Sequence, residues 1–406
     1  MTNHTKTTKL RSIEKTEYVP DELIREILSH APVKSLIQLK RVSKPWHTII
    51  NDPTFINLHL NQAIQHNNFS LLLYNSNHIY SIHDPTSTAT TECPSVPFNH
   101  GHRDYYDVAG SCDGLILLIP YRGCFGIWNP STGEFISIPS PYCSENYILT
   151  MPWHENMYGF GYGSNRSDYK IVSIFGTGNV KVFSTRSGSR MWKTIEGSNI
   201  HVVFGDSLYI YNSSGIFARG AVHWLMCFFV TSTEEEDRII AYDFGCEEFS
   251  TIPMPDRLTN NNEYKRLSKW GESICLFIKD CREWSSHIFV MKEYGVRDSW
   301  SKLYTIPEAP IQQNLEAPYT NLRIKWSIVC FINDEKILLK QEGLYNLVLY
   351  DTRSCKFVEL ELHEDLKNVF NERYCSAYAY VPSLVPIKNY EDLIDPCCSP
   401  QLLRPM

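Results

Sequence analysis

No run of apolar residues in this chain of 406 approaches the ~20 that a membrane-spanning helix needs. Runs such as Leu115 to Ile119 and Leu225 to Val230 are far shorter. The opening MTNHTKTTKL has no apolar core of a secretory signal. Basic charge is also short, with 38 Lys and Arg against 45 Asp and Glu, and the net charge of −7 removes the field that nucleic acid or an anionic membrane would need. Thirteen cysteines are an odd number and form no CxxC pair, which excludes the usual zinc spacing and predicts reduced thiols. No GxxxxGK[ST] loop and no HExxH helix occurs. These absences predict a soluble protein of the cytoplasm, the nucleus or both, with no cofactor, no metal, and no nucleic-acid or membrane partner. The N-x-Ser/Thr triplets at Asn3, Asn68, Asn165 and Asn212 carry no glycosylation meaning in that setting.

What is present divides in two. Residues 1–17 read as a disordered polar tail, where Lys6, Lys9 and Arg11 are a solvated patch. Residues 18–62 read as three helices. Pro20, Asp21 and Glu22 suit a first turn, and Leu23, Ile24, Ile27 and Leu28 fall on one face before Pro32 stops the helix. A second helix carries Leu36, Leu39 and Val42. The third has Ser43 as N-cap, Pro45 in its first turn, and Trp46, Ile49 and Ile50 on one side, until Asn51, Asp52 and Pro53 end it. Phe55, Leu58 and Leu60 follow as further apolar anchors. About 40 residues are at the lower limit for an isolated core, so part of this apolar surface should meet a partner or the rest of the chain.

From residue 69 to 381 the periodicity is that of short strands. Aromatic residues at 13% of the chain, with 24 tyrosines, favour strands there. One hairpin recurs as IWNPSTGEFISIP from Ile127, VFSTRSGSRMWKTI from Val182, IAYDFGCEEFSTIP from Ile240, FVMKEYGVRDSWSKLYTI from Phe289 and LVLYDTRSCKFVELEL from Leu347. A weaker copy runs from Ile79 to Pro97. Asn129 with Gly133, Ser184 with Gly188, Asp243 with Gly245, and Asp351 with Ser354 suit tight reversals. Trp128, Phe183, Tyr242, Val290 and Tyr350, taken as equivalent strand ends, are spaced 55, 59, 48 and 60 apart. That is near the ~50 of a kelch-type blade. Further strands fit before each hairpin, giving about four per repeat and about six blades. A β-sandwich pair would not produce a repeat of this length. Residues 382–406 read as a C-terminal tail.

The order Pro20, Asp21, Glu22, Leu23, Ile24, Ile27, Leu28, Pro32, Val33, Lys34, Ser35, Leu36, Lys40, Val42, Ser43, Lys44, Trp46, Ile49, Ile50, Asp52, Pro53, Phe55 closely resembles the F-box of plant F-box proteins. The motifs SCDGLILL, IWNPSTGEF, YGFGYGSNRSDYKIV, WKTIEG, GAVHWL and IIAYDFGCEEFSTIPMP resemble the F-box-associated, kelch-like domain that follows it in that family. The resemblance implies a multidomain α+β chain: a small all-α three-helix F-box, then an all-β kelch-like propeller of about six blades. It implies binding to a SKP-family adaptor, and through it to cullin and RING subunits of an SCF ubiquitin ligase. The contacts it implies are Pro20, Leu23, Ile27, Leu28, Pro32, Val33, Leu36, Leu39, Val42, Ser43 and Trp46. Each could instead serve the core, with Leu23, Leu39 and Ile50 the strongest candidates for that role. The propeller would receive an unknown protein substrate through loops such as Pro141–Asn156, Ser232–Arg238, Asn260–Leu267 and Glu308–Thr320.

A non-degradative scaffold and a propeller enzyme with a helical cap are the contrasting classes. Features that suggest catalysis have simpler readings. Gly159, Gly161 and Gly163 lack the strand-then-helix setting of a dinucleotide loop and read as a bend entering a blade. His154 with Glu155, and His363 with Glu364, lack a second histidine. His223 in an apolar strand reads as a hydrogen-bonded core residue, Glu234 to Asp237 as a solvated loop, and Cys397 with Cys398 as a weak palmitoylation signal.

Overall fold

The structure is a computed structural model that describes residues 19–74, 79–82, 90–92, 106–120, 124–141, 156–166, 168–175, 179–186, 191–196, 208–210, 213–229, 235–255, 264–280, 285–307, 325–342, 347–360 and 376–387. The stretch 1–17, the pair Cys397 and Cys398, and most of the candidate loops lie outside these residues.

Four helices come first: α1 (Asp21–Ser29), α2 (Val33–Leu39), α3 (Lys44–Asn51) and α4 (Pro53–Gln65). The fourth was not expected from sequence. Pro53 reads in sequence as a stop, but a proline at the first helical position costs no hydrogen bond, and Asp52 caps the new helix by accepting from the Thr54 amide at 3.0 Å. Ser43 caps α3 as expected, its hydroxyl accepting from the Trp46 amide at 3.3 Å.

Six antiparallel sheets follow. Blade 1 holds β1 (Ser70–Tyr74), β2 (Ile79–Ile82) and β3 (Thr90–Glu92); blade 2 holds β4 (Tyr106–Cys112), β5 (Leu115–Pro120), β6 (Phe125–Trp128) and β7 (Phe135–Ile138). Blade 3 holds β8 (Asn156–Tyr162), β9 (Tyr169–Phe175), β10 (Asn179–Ser184) and β11 (Lys193–Ile195). In blade 4, β12 (Leu208–Ile210) and β13 (Ile216–Ala218) pair with successive halves of β14 (Ala221–Phe229), followed by β15 (Glu235–Asp243) and β16 (Glu248–Ile252). Blade 5 holds β17 (Tyr264–Trp270), β18 (Ser273–Asp280), β19 (Ser285–Met291) and β20 (Trp300–Pro307); blade 6 holds β21 (Lys325–Phe331), β22 (Lys336–Glu342), β23 (Leu347–Asp351) and β24 (Lys356–Glu359). The last strand, β25 (Ser376–Tyr380), returns to pair with β1, Ser70 opposite Tyr380, and becomes the innermost strand of blade 1. Strand exchange between the two ends closes the ring and removes its open edge.

The recurring hairpin is the outer pair of strands in each blade, and its turn chemistry is visible. Asn129, Asp243 and Asp351 each accept from two backbone amides two and three residues on. The aromatic before each of these is buried, as Trp128, Tyr242 and Tyr350. The closing Ile-Pro serves the next blade, since the indoles of Trp192 and Trp300 donate to the Pro139 and Pro253 carbonyls at 2.7 and 2.8 Å.

Gly159 and Gly161 stand within β8 and not in a bend. A Cβ on Gly159 would lie 2.7 Å from Val222, and one on Gly161 2.2 Å from the Phe217 ring, so glycine lets blades 3 and 4 close up. The run Glu234 to Asp237 is mostly β15, and the second half of Asn260–Leu267 is the start of β17. Asp237 pairs with the buried Lys265 at 2.5 Å, joining the two blades. Cys112, Cys227 and Cys275 are buried thiols, but Cys124 is disulfide-bonded, so the expected reduced state does not hold at that residue.

Candidate functional site

Helix α1 turns Ile24 and Leu28 toward the core and Leu23 and Ile27, one turn apart, to solvent with 55% and 69% of their surface exposed. Val19 before the helix and Val42 in the turn between α2 and α3 are exposed as well. Pro20 and Pro32 complete the exposed set. Leu39, Ser43 and Trp46 are half-buried, whereas Leu28, Val33 and Leu36 are buried among Ile49, Ile50, Phe55 and Leu60. The eleven expected contact residues therefore separate into an outer set and a core set. Leu23, read from sequence as a strong core candidate, stands outside, and Ile50 stands inside. Val19 was not among the eleven, yet it extends the exposed surface. The frame beneath is fixed by Arg25, bonded to Asp52 at 2.8 Å, and by His59 of α4, whose Nε2 donates to the Ala31 carbonyl at 2.9 Å.

The opposite side of the helices is built into the propeller. Their core residues belong to one apolar cluster with Ala109, Leu117, Ile127 and Ile138 of blade 2 and with Phe160 and Ile171 of blade 3. At the joint Arg166 donates to Asn61 of α4 and to the Tyr162 hydroxyl, both at 2.8 Å, and stands 3.4 Å from Asp113. The Tyr169 hydroxyl donates to Asp113 at 3.1 Å. Burial pushes the Asp113 carboxyl above its ordinary range against the pull of Arg166, and the Tyr162 phenol is pushed up to about 12, mainly by burial. Asp113 and Gly114, with φ of 54° and 84°, form the two-residue turn from β4 to β5 that delivers this carboxylate to the joint. A cavity of about 450 Å³ adjoins this joint, lined by Asn67 and Phe69 after α4 together with Asp113, Tyr162 and Arg166.

Strand polarity decides where the expected recognition loops attach. Turns such as Asp113–Gly114 lie at the helical end, so the connections β7 to β8, β14 to β15, β16 to β17 and β20 to β21 leave from the other end. Each candidate loop segment falls at one of these four connections; of their described residues, Pro141 precedes β8, whereas Asn156, Glu235–Arg238 and Tyr264–Leu267 already belong to β8, β15 and β17.

A family model described as the F-box associated beta propeller domain matches residues 63–387, and one described as the F-box domain matches residues 19–58. The chain belongs to the F-box proteins with an associated propeller. The F-box protein CPR1 of Arabidopsis thaliana is 27% identical over 385 residues, covering 84% of this chain and 87% of its own. An F-box/kelch-repeat protein of the same plant is 28% identical over 314 residues, covering 71% and 79%. Among solved structures, a chain of the nidogen/laminin complex aligns over 78% of this chain and 99% of its own at 10% identity, with a TM-score of 0.41.

Around the F-box and propeller the other sequence signals resolve into structure. His223 is buried, with Nδ1 donating to the Ile216 carbonyl at 3.1 Å and Nε2 accepting from Tyr294 at 2.7 Å. Burial lowers its pKa to about 4, so it is neutral at ordinary pH. Among the described residues no group of three His, Cys, Asp or Glu side chains is placed to hold a metal ion, and no helix is long and apolar enough to cross a membrane.

Proposed function

We propose that this F-box protein is the substrate-recognition subunit of an SCF-type ubiquitin ligase, working in the cytoplasm, the nucleus or both. The observation that carries the reading is the exposed apolar set Leu23, Ile27 and Val42 on a helical module whose other side is already covered. Exposed apolar side chains grouped on one small module mark an interaction surface. A SKP-family adaptor would occupy it, bringing cullin and RING subunits. The buried Leu28, Val33 and Leu36 would shape that surface from below.

The far end of the propeller, where the β7 to β8 and β20 to β21 connections begin, would hold the target protein, since loops on a rigid scaffold carry recognition. The chain supplies no catalytic group. It raises the effective concentration of target lysines near a ubiquitin-charged enzyme.

Capture of a purified SKP adaptor by the full chain tests this. The wild type should retain the adaptor, and Leu23→Asp with Ile27→Asp should lose it while circular dichroism and the melting temperature stay unchanged. A folded double variant that still binds would remove the support.

A further inference from the structure

The chain does not end its structural work at β25. Residues Val381–Ile387 leave the ring-closing strand and run between the F-box and blade 2. Ser383 is fully buried, and Leu384, Val385 and Ile387 are almost so, in the same cluster as Leu36, Ile50 and Leu60 of the F-box and Leu117 and Ile127 of blade 2. Two prolines, Pro382 and Pro386, leave this segment few amides to satisfy. Two of its carbonyls are met by one side chain. Asn129, itself fully buried, donates from Nδ2 to the carbonyls of Ser383 at 3.2 Å and Val385 at 2.9 Å. Its Oδ1 accepts from Ser131 and Thr132 in its own turn. Glu134, at the end of that turn, accepts from the Ile387 amide at 2.7 Å, and its charge reaches Lys40 just after α2 of the F-box. Gly114 completes the seat, since a Cβ there would stand 2.4 Å from the Ser383 hydroxyl.

We propose that residues 381–387 are a strap that holds the F-box in one orientation on the propeller, with Asn129 as its anchoring residue. Ring closure needs only β25 on β1, so the strap serves the joint. It converts two modules connected in sequence into one rigid body, and it does so whether or not the exposed face receives an adaptor.

The amide of Asn129 separates the strap from the turn. Asn129→Asp keeps the oxygen that accepts within the turn and replaces the donor to the strap with a carboxylate facing two carbonyl oxygens. Hydrogen exchange of the full chain, read by mass spectrometry, should then show α1 to α4 exchanging at least ~10-fold faster than in the wild type, with blade 5 unchanged. A chain cut after Tyr380, which keeps β25, should show the same pattern. Unchanged protection of the F-box in both variants would overturn the proposal. Equal loss of protection in blade 5 would overturn it too, because the segment would then be holding the propeller and not the joint.

Discussion

At the scale of single residues, the helical module mixes positions that look alike in sequence and differ in physical role. Leu23 and Leu36 both fit an apolar stripe, yet one is 55% exposed and the other fully buried. Leu36→Ala should cost about 2 to 5 kcal/mol through lost burial and a residual cavity. Leu23→Ala should change stability by less than about 0.5 kcal/mol. Chemical denaturation of the two variants checks the ordering, and equal losses would contradict it.

His223 offers a pH test at the same scale. Its pKa falls from about 6.5 in an unfolded chain to about 4 in the fold, so the unfolded state binds the proton first as pH drops. The stability it contributes is complete above about pH 6.5 and is lost as pH falls toward 4. Unfolding curves of the wild type and of His223→Asn should therefore converge in slope near neutral pH and diverge between pH 4 and 6.5. Parallel curves throughout would show that the ring does not titrate in this way.

At the scale of elements, the outer hairpins are legible in sequence and the innermost strands only in part: Tyr158–Tyr162 and Ile328–Phe331 read as strands and lie in β8 and β21, whereas β17 does not read as one. An Asx turn preceded by a buried aromatic repeats wherever Asn129, Asp243 or Asp351 stands, and local chemistry of that kind is written in the sequence. The strand β17 reads YKRLSKW, and its first four residues fall in the segment Asn260–Leu267 expected as a loop. It is a strand because it pairs along its length with β18, Lys265 finds Asp237 on β15, and Arg266 to Lys269 border the cavity, relations that no local window contains. The split between β12 and β13 escaped for the same reason. In the F-box, three helices were legible from apolar spacing, and the fourth was hidden by a proline that both ends α3 and starts α4. Which of the expected contact residues face outward is not legible in sequence, since a stripe on a short helix carries no sign for inside.

The glycines give this scale its own prediction. Gly161 stands within β8 and Gly220 in the turn between β13 and β14, and each is glycine for a different reason. At Gly161 a methyl group meets the Phe217 ring, and Gly161→Ala should cost about 1 to 3 kcal/mol by overpacking two blades. At Gly220 nothing lies within 4 Å and φ is +78°, so Gly220→Ala should cost about 1 to 2 kcal/mol from backbone conformation alone. A second substitution, Phe217→Leu, should recover part of the loss at Gly161 and none at Gly220. Equal recovery at both positions would mean that crowding between blades is not what fixes Gly161.

At the scale of the whole molecule, the first and last parts of the chain depend on each other. Blade 1 takes three strands from the start and its innermost strand from the end, and the Ser81 and Tyr380 hydroxyls lie 3.0 Å apart across 299 residues of sequence. The F-box lies immediately before β1, and the strap immediately after β25, so the same late residues close the ring and seat the helices. Contacts of such long sequence separation form late and slowly in folding. A chain cut before Ser376 should therefore lack both devices: β1 would present an unpaired edge, and the F-box core would lose Leu384, Val385 and Ile387. Calorimetry should find a lowered and broadened transition, with aggregation on size exclusion, whereas the chain cut after Tyr380 should stay monomeric because its ring still closes. If the two truncations behave alike, pairing of β25 with β1 contributes nothing beyond the strap, and the ends of this propeller are not coupled as the fold requires.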